Sequence, residues 1–420
     1  MKRIASVLNP NKIVCALLLV FISSYFGVFA GTKGLFVLSI FIGVILLAFH
    51  FFGLVKSYRM AFSFLWIALF VYLLISSLFN FSQAVNYIVL FAVGGLVLFI
   101  RFDKSDFIFV FKIISLISIV LAASIIWQAY LPDSFYSFAK YWFYHSTQYE
   151  NVFYQGVLSG QMSGIFCEVS YSAFFLSLGC GYAASNLFFK KRIVLNAFLL
   201  SLFYFAILLT GKRSFLLIVP GVLIVAFLLS CFKNLTRGKL ITVFVLATVL
   251  IFATPLILDS TLSILTDGTG TIQLSSREII WNLAIQSFVK KPLFGVGINS
   301  FDLVFNSSGI RSSYYSFAGA HNAYLQILCE TGIIGFLLYF CFIGAAIISI
   351  IKTLFQCENR NDKEGAMLQT SSLICLLFSM AYGLTGNPLH QPQQLMTIFI
   401  LISISLGVSA LNKNRRTMVA

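Results

Sequence analysis

Uninterrupted apolar stretches of about 17–25 residues recur along this chain, each long enough as a helix to cross the hydrocarbon core of a bilayer. They start near Ile13, Gly34, Met60, Ala84, Phe107, Val169, Ile193, Ser214, Leu240, Ala323, Met367 and Leu395. Inside hydrocarbon a backbone has no water to bond, so only helices and closed barrels satisfy its polar groups. Barrel strands alternate polar and apolar residues over about ten positions, and these runs do not. The sequence therefore predicts an all-α integral membrane protein of about twelve transmembrane helices, organised as a single polytopic domain over 1–420. Composition agrees, since 60% of the residues are hydrophobic and 10% charged, more apolar surface than a soluble fold of this size can hide.

The formal net charge of +15 does not point to nucleic acid, because the basic residues sit in short clusters between apolar runs, as topology signals do. With the N-terminus cytoplasmic, one set of connections carries Lys2/Arg3/Lys12, Lys56/Arg59, Arg101/Lys104, Lys190/Lys191/Arg192, Lys233/Arg237/Lys239, Lys352/Arg360/Lys363 and Lys413/Arg415/Arg416. The opposite set carries fewer charges over longer loops: Lys33, Lys140, Lys212, Arg213, Arg277, Lys290, Lys291 and Arg311. Both termini are thus expected inside, with a basic signal anchor at Met1–Lys12. The eight cysteines show no metal-ligand spacing and read as packing residues. No His/Asp/Glu cluster has such spacing either, so metal-independent chemistry without a cofactor is expected.

Two outer segments are long, 131–168 and 259–322, and long connections in a compact protein are usually functional or disordered. Their density of apolar and aromatic residues argues against disorder. Phe135, Tyr136, Tyr141, Trp142, Phe143 and Tyr144 offer ring surfaces for sugars or, equally, an interfacial aromatic belt. In the second segment Ser275 with Glu278 forms a capping box. Ile279, Ile280, Leu283, Ala284 and Phe288 then make an apolar stripe that Lys290-Lys291-Pro292 closes, predicting an amphipathic helix on the outer membrane face. Arg277 falls in its first turn, either simply solvated or placed to bind an anion with the free backbone amides. Trp281, one turn on, is positioned to hold it by a cation–π contact.

His321-Asn322 is followed by nine residues, Gly332, two residues and Gly335. Together with Arg277, Trp281, Ala284, Pro292, Gly295 and Gly297, this pattern resembles the signature region of the bacterial O-antigen polymerase and O-antigen ligase superfamily, integral membrane glycosyltransferases that use lipid-linked sugars. Thr210-Gly211-Lys212-Arg213-Ser214 looks like that superfamily's Thr-Gly-Ser-Arg turn, with Lys212 in place of the small residue. Gly164–Ser170 is similar to its Phe-x-Glu-Pro-Ser/Ala element, with Val169 where proline is usual. The resemblance implies catalytic roles for His321, Arg277 and Arg213. It also implies substrate contacts for Glu168, Lys212, Trp281, Asn322 and Arg311. Blander readings stand beside these: His321 as a cap, Glu168 as a carboxylate on a helix dipole, and Lys212 snorkelling to headgroups, the favoured reading for that side chain. Gly332 and Gly335 read as close-packing positions inside a helix. Glu330, deep in an apolar run, requires a partner. Asp133, Glu150, Asp259, Asp267, Asp302 and His390 are outward candidates for sugar contact, with no motif behind them.

The implied activity is polymerisation of O-antigen or a similar surface polysaccharide. Undecaprenyl-pyrophosphate-linked glycans serve as donor and acceptor at the periplasmic face of the inner membrane, with a chain-length regulator and a flippase as partners. The alternatives are a ligase moving glycan to lipid A–core, a protein-glycosylating transferase and, in another class, a glycan-lipid flippase or coupled transporter. Against the last, Lys112 and Glu330 are the main ionisable residues within the spans, and coupled transport needs such groups at mid-depth.

Overall fold

The computed structural model describes residues 10–22, 32–55, 63–143, 147–230, 275–309 and 319–417. The expected span near Leu240, the loop 259–274 and Arg311 lie outside the described residues. Among them the structure is helical throughout: α1 Pro10–Ile22, α2 Thr32–Phe51, α3 Ser63–Ser77, α4 Phe81–Leu98, α5 Lys104–Tyr130, α6 Pro132–Ala139, α7 Thr147–Ser159, α8 Val169–Phe188, α9 Ile193–Leu209, α10 Arg213–Ser230, α11 Ser275–Lys290, α12 Phe301–Ser307, α13 Ala323–Asn359, α14 Lys363–Tyr382 and α15 Pro392–Thr417. Every other expected span has its helix. Four of the described helices, α4, α5, α13 and α14, are long and apolar enough to cross a membrane. The apolar segments of six further helices are shorter, and the whole is consistent with a multi-pass membrane protein. Outward apolar side chains such as Phe64, Ile67, Val71, Val194 and Phe198 form the kind of surface that only lipid covers well.

The helix ends sort into two groups. At one end Lys104 Nζ lies 2.5 Å from Asp362, and Asn11 donates to the Arg101 carbonyl and to Asp106. At the other, Met162 N–H bonds the Leu209 carbonyl and Ala323 N–H bonds the carbonyls of Gly383 and Gly386. Tyr382 at the end of α14 packs with its ring tilted against those of Phe215 of α10 and Phe174 of α8, which ties this second group together. The basic clusters Arg101/Lys104 and Arg360/Lys363 therefore share an end, while the 210–213 turn and His321 occupy the opposite one.

Helix α14 runs through the middle, buried along nearly its whole length. A helix enclosed on all sides needs no lipid-facing stripe, so Gln369, Thr370, Ser371, Ser372 and Ser379 sit in the core. Several of these bond carbonyls, as Gln369 does with Ser405 and Ser379 with Cys375. Of the aromatic outer segment, Phe135 is core, Tyr136 bonds Glu150, and Tyr141 and Trp142 are exposed.

Helix α13 is broken. Gly332 takes φ 63° and ψ −171°, so its expected role as a helix-packing residue is corrected: it interrupts the ladder. The freed backbone groups bond the loop after α11. Val296 and Gly297 N–H donate to the carbonyls of Cys329 and Glu330 at 3.1 and 2.9 Å, and Ile333 N–H donates to Pro292 O at 2.8 Å. Tyr72 donates to the Thr331 carbonyl. The approach is so close that a Cβ on Gly332 meets Leu293 O at 2.3 Å and one on Gly295, also at positive φ, meets Glu330 O at 2.4 Å. We expect Gly332→Ala and Gly295→Ala each to destabilise by more than about 2 kcal/mol, from backbone strain plus overlap. Gly344→Ala, with open space at its Cβ, should be neutral or stabilising. Thermal unfolding of the purified proteins in detergent checks the contrast.

Candidate functional site

Helix α11 spans Ser275–Lys290, the bounds the sequence predicts, although the Ser275 side chain lies outside the described ones. Its inward face differs from the expected stripe. Ile280, Ala284 and Ser287 are buried, Arg277, Trp281, Leu283 and Phe288 half-buried, and Ile279 is half exposed. Ile280 and Ala284 join Phe301, Phe305, Ala320 and Cys329 in a small core of their own, which seats the helix on α12 and α13. Trp281 does not stack on Arg277 as expected. Its indole N–H donates to the Ala320 carbonyl at 3.0 Å, tying α11 to the residue before His321. Arg277 lies four residues earlier, on the same face.

His321 precedes α13 and has φ 49°, a left-handed conformation uncommon for a residue with a side chain. Asn322 is the N-cap, its carboxamide oxygen accepting from Tyr324 N–H and Leu325 N–H at 3.1 Å each. This is a capping role for a residue also expected at the substrate. Burial first, then the positive charges of Arg277 and Lys212, lower the His321 pKa to about 4. At neutral pH its imidazole is uncharged and able to accept a proton.

Lys212 belongs to this constellation. Burial and Arg277 lower its pKa while the Glu168 carboxylate opposes them. Glu168 caps α8, accepting from Ser170 N–H at 3.0 Å and from Tyr171 N–H. The expected helix-end carboxylate is thus realised, and its charge also reaches Lys212. Tyr382, at the end of α14, feels both Glu168 and Arg277. Arg213 is the first residue of α10 and is exposed. The structure brings Lys212, rather than Arg213, into the field of His321, Arg277 and Glu168.

Behind the site, Glu330 is fully buried and well partnered. Its carboxylate accepts from Asn299 N–H at 2.9 Å, Phe301 N–H at 3.2 Å and Gln326 Nε2 at 3.0 Å, and pairs with His390 Nε2 at 2.8 Å. A buried carboxylate needs such compensation. Sequence flags Glu330 by its depth in an apolar run, whereas Gln326, Tyr382 and the His390 pairing carry no signal of their own. Among the described residues no group of three or more His, Cys, Asp or Glu side chains is arranged to hold a metal ion. The arrangement offers two cations for an anion beside one neutral imidazole, at one end of a set of apolar helices. If Asn322 acts by capping, Asn322→Ala should cost about 1 kcal/mol and Asn322→Ser, which can still cap, little. Denaturation midpoints measured on both variants check this.

Residues 197–340 match a protein-family model described as O-Antigen ligase. A comparison with curated proteins finds no match. The matched segment contains Lys212, Arg213, Arg277, Trp281, His321 and Asn322, while Glu168, Tyr382 and His390 lie outside it. Over 197–340, then, the chain is similar to the O-antigen ligase family.

Proposed function

We propose that this chain is a membrane glycosyltransferase that polymerises O-antigen or a related surface glycan, joining undecaprenyl-pyrophosphate-linked repeat units at the periplasmic face of the bacterial inner membrane. The observation that carries this reading is the convergence of Lys212, Arg277 and a neutral His321 at one end of the helix bundle, within the family-matched segment. An acceptor sugar hydroxyl attacks the anomeric carbon of the donor glycan. The bond from that carbon to the pyrophosphate oxygen breaks and its electron pair leaves with the pyrophosphate. The hydroxyl proton passes to the His321 imidazole and from there to solvent. Arg277 and Lys212, with Arg213 at the mouth, balance the charge gathering on the leaving group, an electrostatic contribution that is large where water is scarce. Glu168 and Arg311 contact the glycans, and a flippase and a chain-length regulator supply and limit the substrate.

The polymerase reading leans on the Glu168 element and the Gly295–Gly297 segment. The printed description of the matched family, O-Antigen ligase, favours the second reading, transfer of glycan to lipid A–core. Deletion separates the two by product. Cells lacking a polymerase still ligate one repeat, so their lipopolysaccharide shows core plus a single unit and no ladder. Bare core with polymer held on the carrier lipid would establish the ligase instead.

At the site, His321→Ala should abolish transfer with normal membrane insertion. Arg277→Ala should lower turnover roughly a hundredfold, and Arg277→Lys should restore little, because an ammonium cannot form the guanidinium's paired bonds to phosphate. The pH dependence has a definite sign. His321 must be neutral to accept a proton, so activity falls as pH drops through its pKa. In the free enzyme that limb, read from kcat/KM, is expected near the value of about 4. A bound pyrophosphate offsets Arg277 and Lys212, so the limb of kcat should lie at higher pH. Limbs that coincide, or that survive His321→Ala, would remove His321 as the base.

A further inference from the structure

His321 is held between two fixed points, and one of them is built from side chains that the catalytic reading leaves unused. On its C-terminal side, Asn322 caps α13 and Ala323 N–H is shared by the carbonyls of Gly383 and Gly386 at 2.7 and 3.0 Å. On its N-terminal side Ala320 is fully buried, and both its backbone polar groups are taken by side chains. Its N–H donates to Gln326 Oε1 at 3.0 Å, and its carbonyl accepts from Trp281 Nε1 at 3.0 Å. Gln326 is itself buried and cannot turn over, because its Nε2 donates to Glu330 Oε1. Glu330 in turn is fixed by Asn299 N–H, Phe301 N–H and His390. Reversing the amide would face an oxygen with the carboxylate and an NH2 with the Ala320 N–H, losing both bonds. A continuous chain of hydrogen bonds therefore runs from His390 through Glu330 and Gln326 to Ala320 and on to Trp281, one helical turn from Arg277.

We propose that Gln326, locked by the Glu330–His390 pair, is a positioning residue for glycosyl transfer, clamping Ala320 against Trp281 so that His321 keeps its left-handed backbone and faces the acceptor. The role rests on the reading of His321 as the base. A non-glycine residue at positive φ persists only where its surroundings hold it, and here the holding groups are Gln326 and Trp281. Displacement of a reacting group by about 1 Å can lower turnover on the order of a hundredfold without weakening substrate binding. The clamp therefore acts on kcat, not on donor affinity.

The test compares wild type, Gln326→Met, Trp281→Phe, the double variant and His321→Ala as purified full-length protein in nanodiscs. Carrier-lipid glycan extracted from the producing cells is the substrate, and release of undecaprenyl pyrophosphate is followed. Gln326→Met keeps the length of the side chain and removes both bonds, while Trp281→Phe keeps an aromatic ring but removes the N–H and part of the indole's volume. We expect kcat for Gln326→Met to fall on the order of a hundredfold, with the donor KM within about threefold of wild type. Trp281→Phe should shift kcat the same way by less. The double variant should lose less than the product of the single effects, because both side chains hold one segment. If His321→Ala is inactive while folded Gln326→Met turns over normally, or loses KM instead of kcat, the positioning role is overturned and the reading of His321 stands. Normal turnover by His321→Ala overturns that reading, and the clamp's catalytic purpose with it. Should Gln326→Met fail to fold, Trp281→Phe decides by the same kcat and KM criteria.

Discussion

A carboxylate buried where a membrane-length helix breaks is the constraint on which the rest of the site depends. Glu330 sits two residues before the interruption at Gly332 and gathers donors from the 299–301 backbone, from α13 itself and from His390. Burying that charge without its partners would be costly. The carboxylate therefore fixes three segments relative to each other: the start of α12, the first half of α13 and the turn before α15. The loop 292–297 completes the junction by supplying the hydrogen bonds that α13 forfeits at the break. What looks like a loop lying over the membrane surface is in fact spliced into a helix.

From that junction the geometry of the cationic cluster follows. Helix α11 is held by its small core and by the Trp281–Ala320 bond, which places Arg277 toward His321. Lys212 arrives independently, on the tight turn joining α9 to α10. Burial, and after it the two positive charges, lower the pKa of the imidazole. Glu168, anchored as a helix cap, gives Lys212 an opposing charge. The site thus carries an excess of positive charge, which an anionic diphosphate would relieve.

Much of this was legible in the chain. Apolar run lengths located the helices, and serine and lysine–proline signals located both ends of α11, because those features are local. The spacing of His321, Gly332 and Gly335 was visible as well, but a glycine in an apolar run looks the same whether it packs a helix or breaks one. Only the matching donors and acceptors of residues 292–297, more than thirty positions away, decide between the two. Similarly, a turn containing Lys212 and Arg213 does not say which cation faces inward. His390 pairs with a residue sixty positions earlier, and nothing about its neighbours announces that. Arg277 and Trp281 share a face as the helical period requires, yet the indole found a backbone carbonyl, a partner that side-chain spacing cannot reveal.

Helix α9 is bounded by turns at both ends and has 17 residues, about 25 Å at roughly 1.5 Å per residue. Its outer side is apolar, with Val194 and Phe198 largely exposed. The surrounding hydrocarbon is about 30 Å thick, and a hydrophobic element shorter than that is met by thinning of the adjacent bilayer. On the transferase reading proposed above, thinning on that flank would bring the headgroup layer toward the turn at the end of α9, which carries Lys212 and Arg213. Under the proposed function, a lipid whose reactive group sits just above its isoprenoid tail would then be lowered toward the cations instead of having to be lifted out of the membrane to reach them.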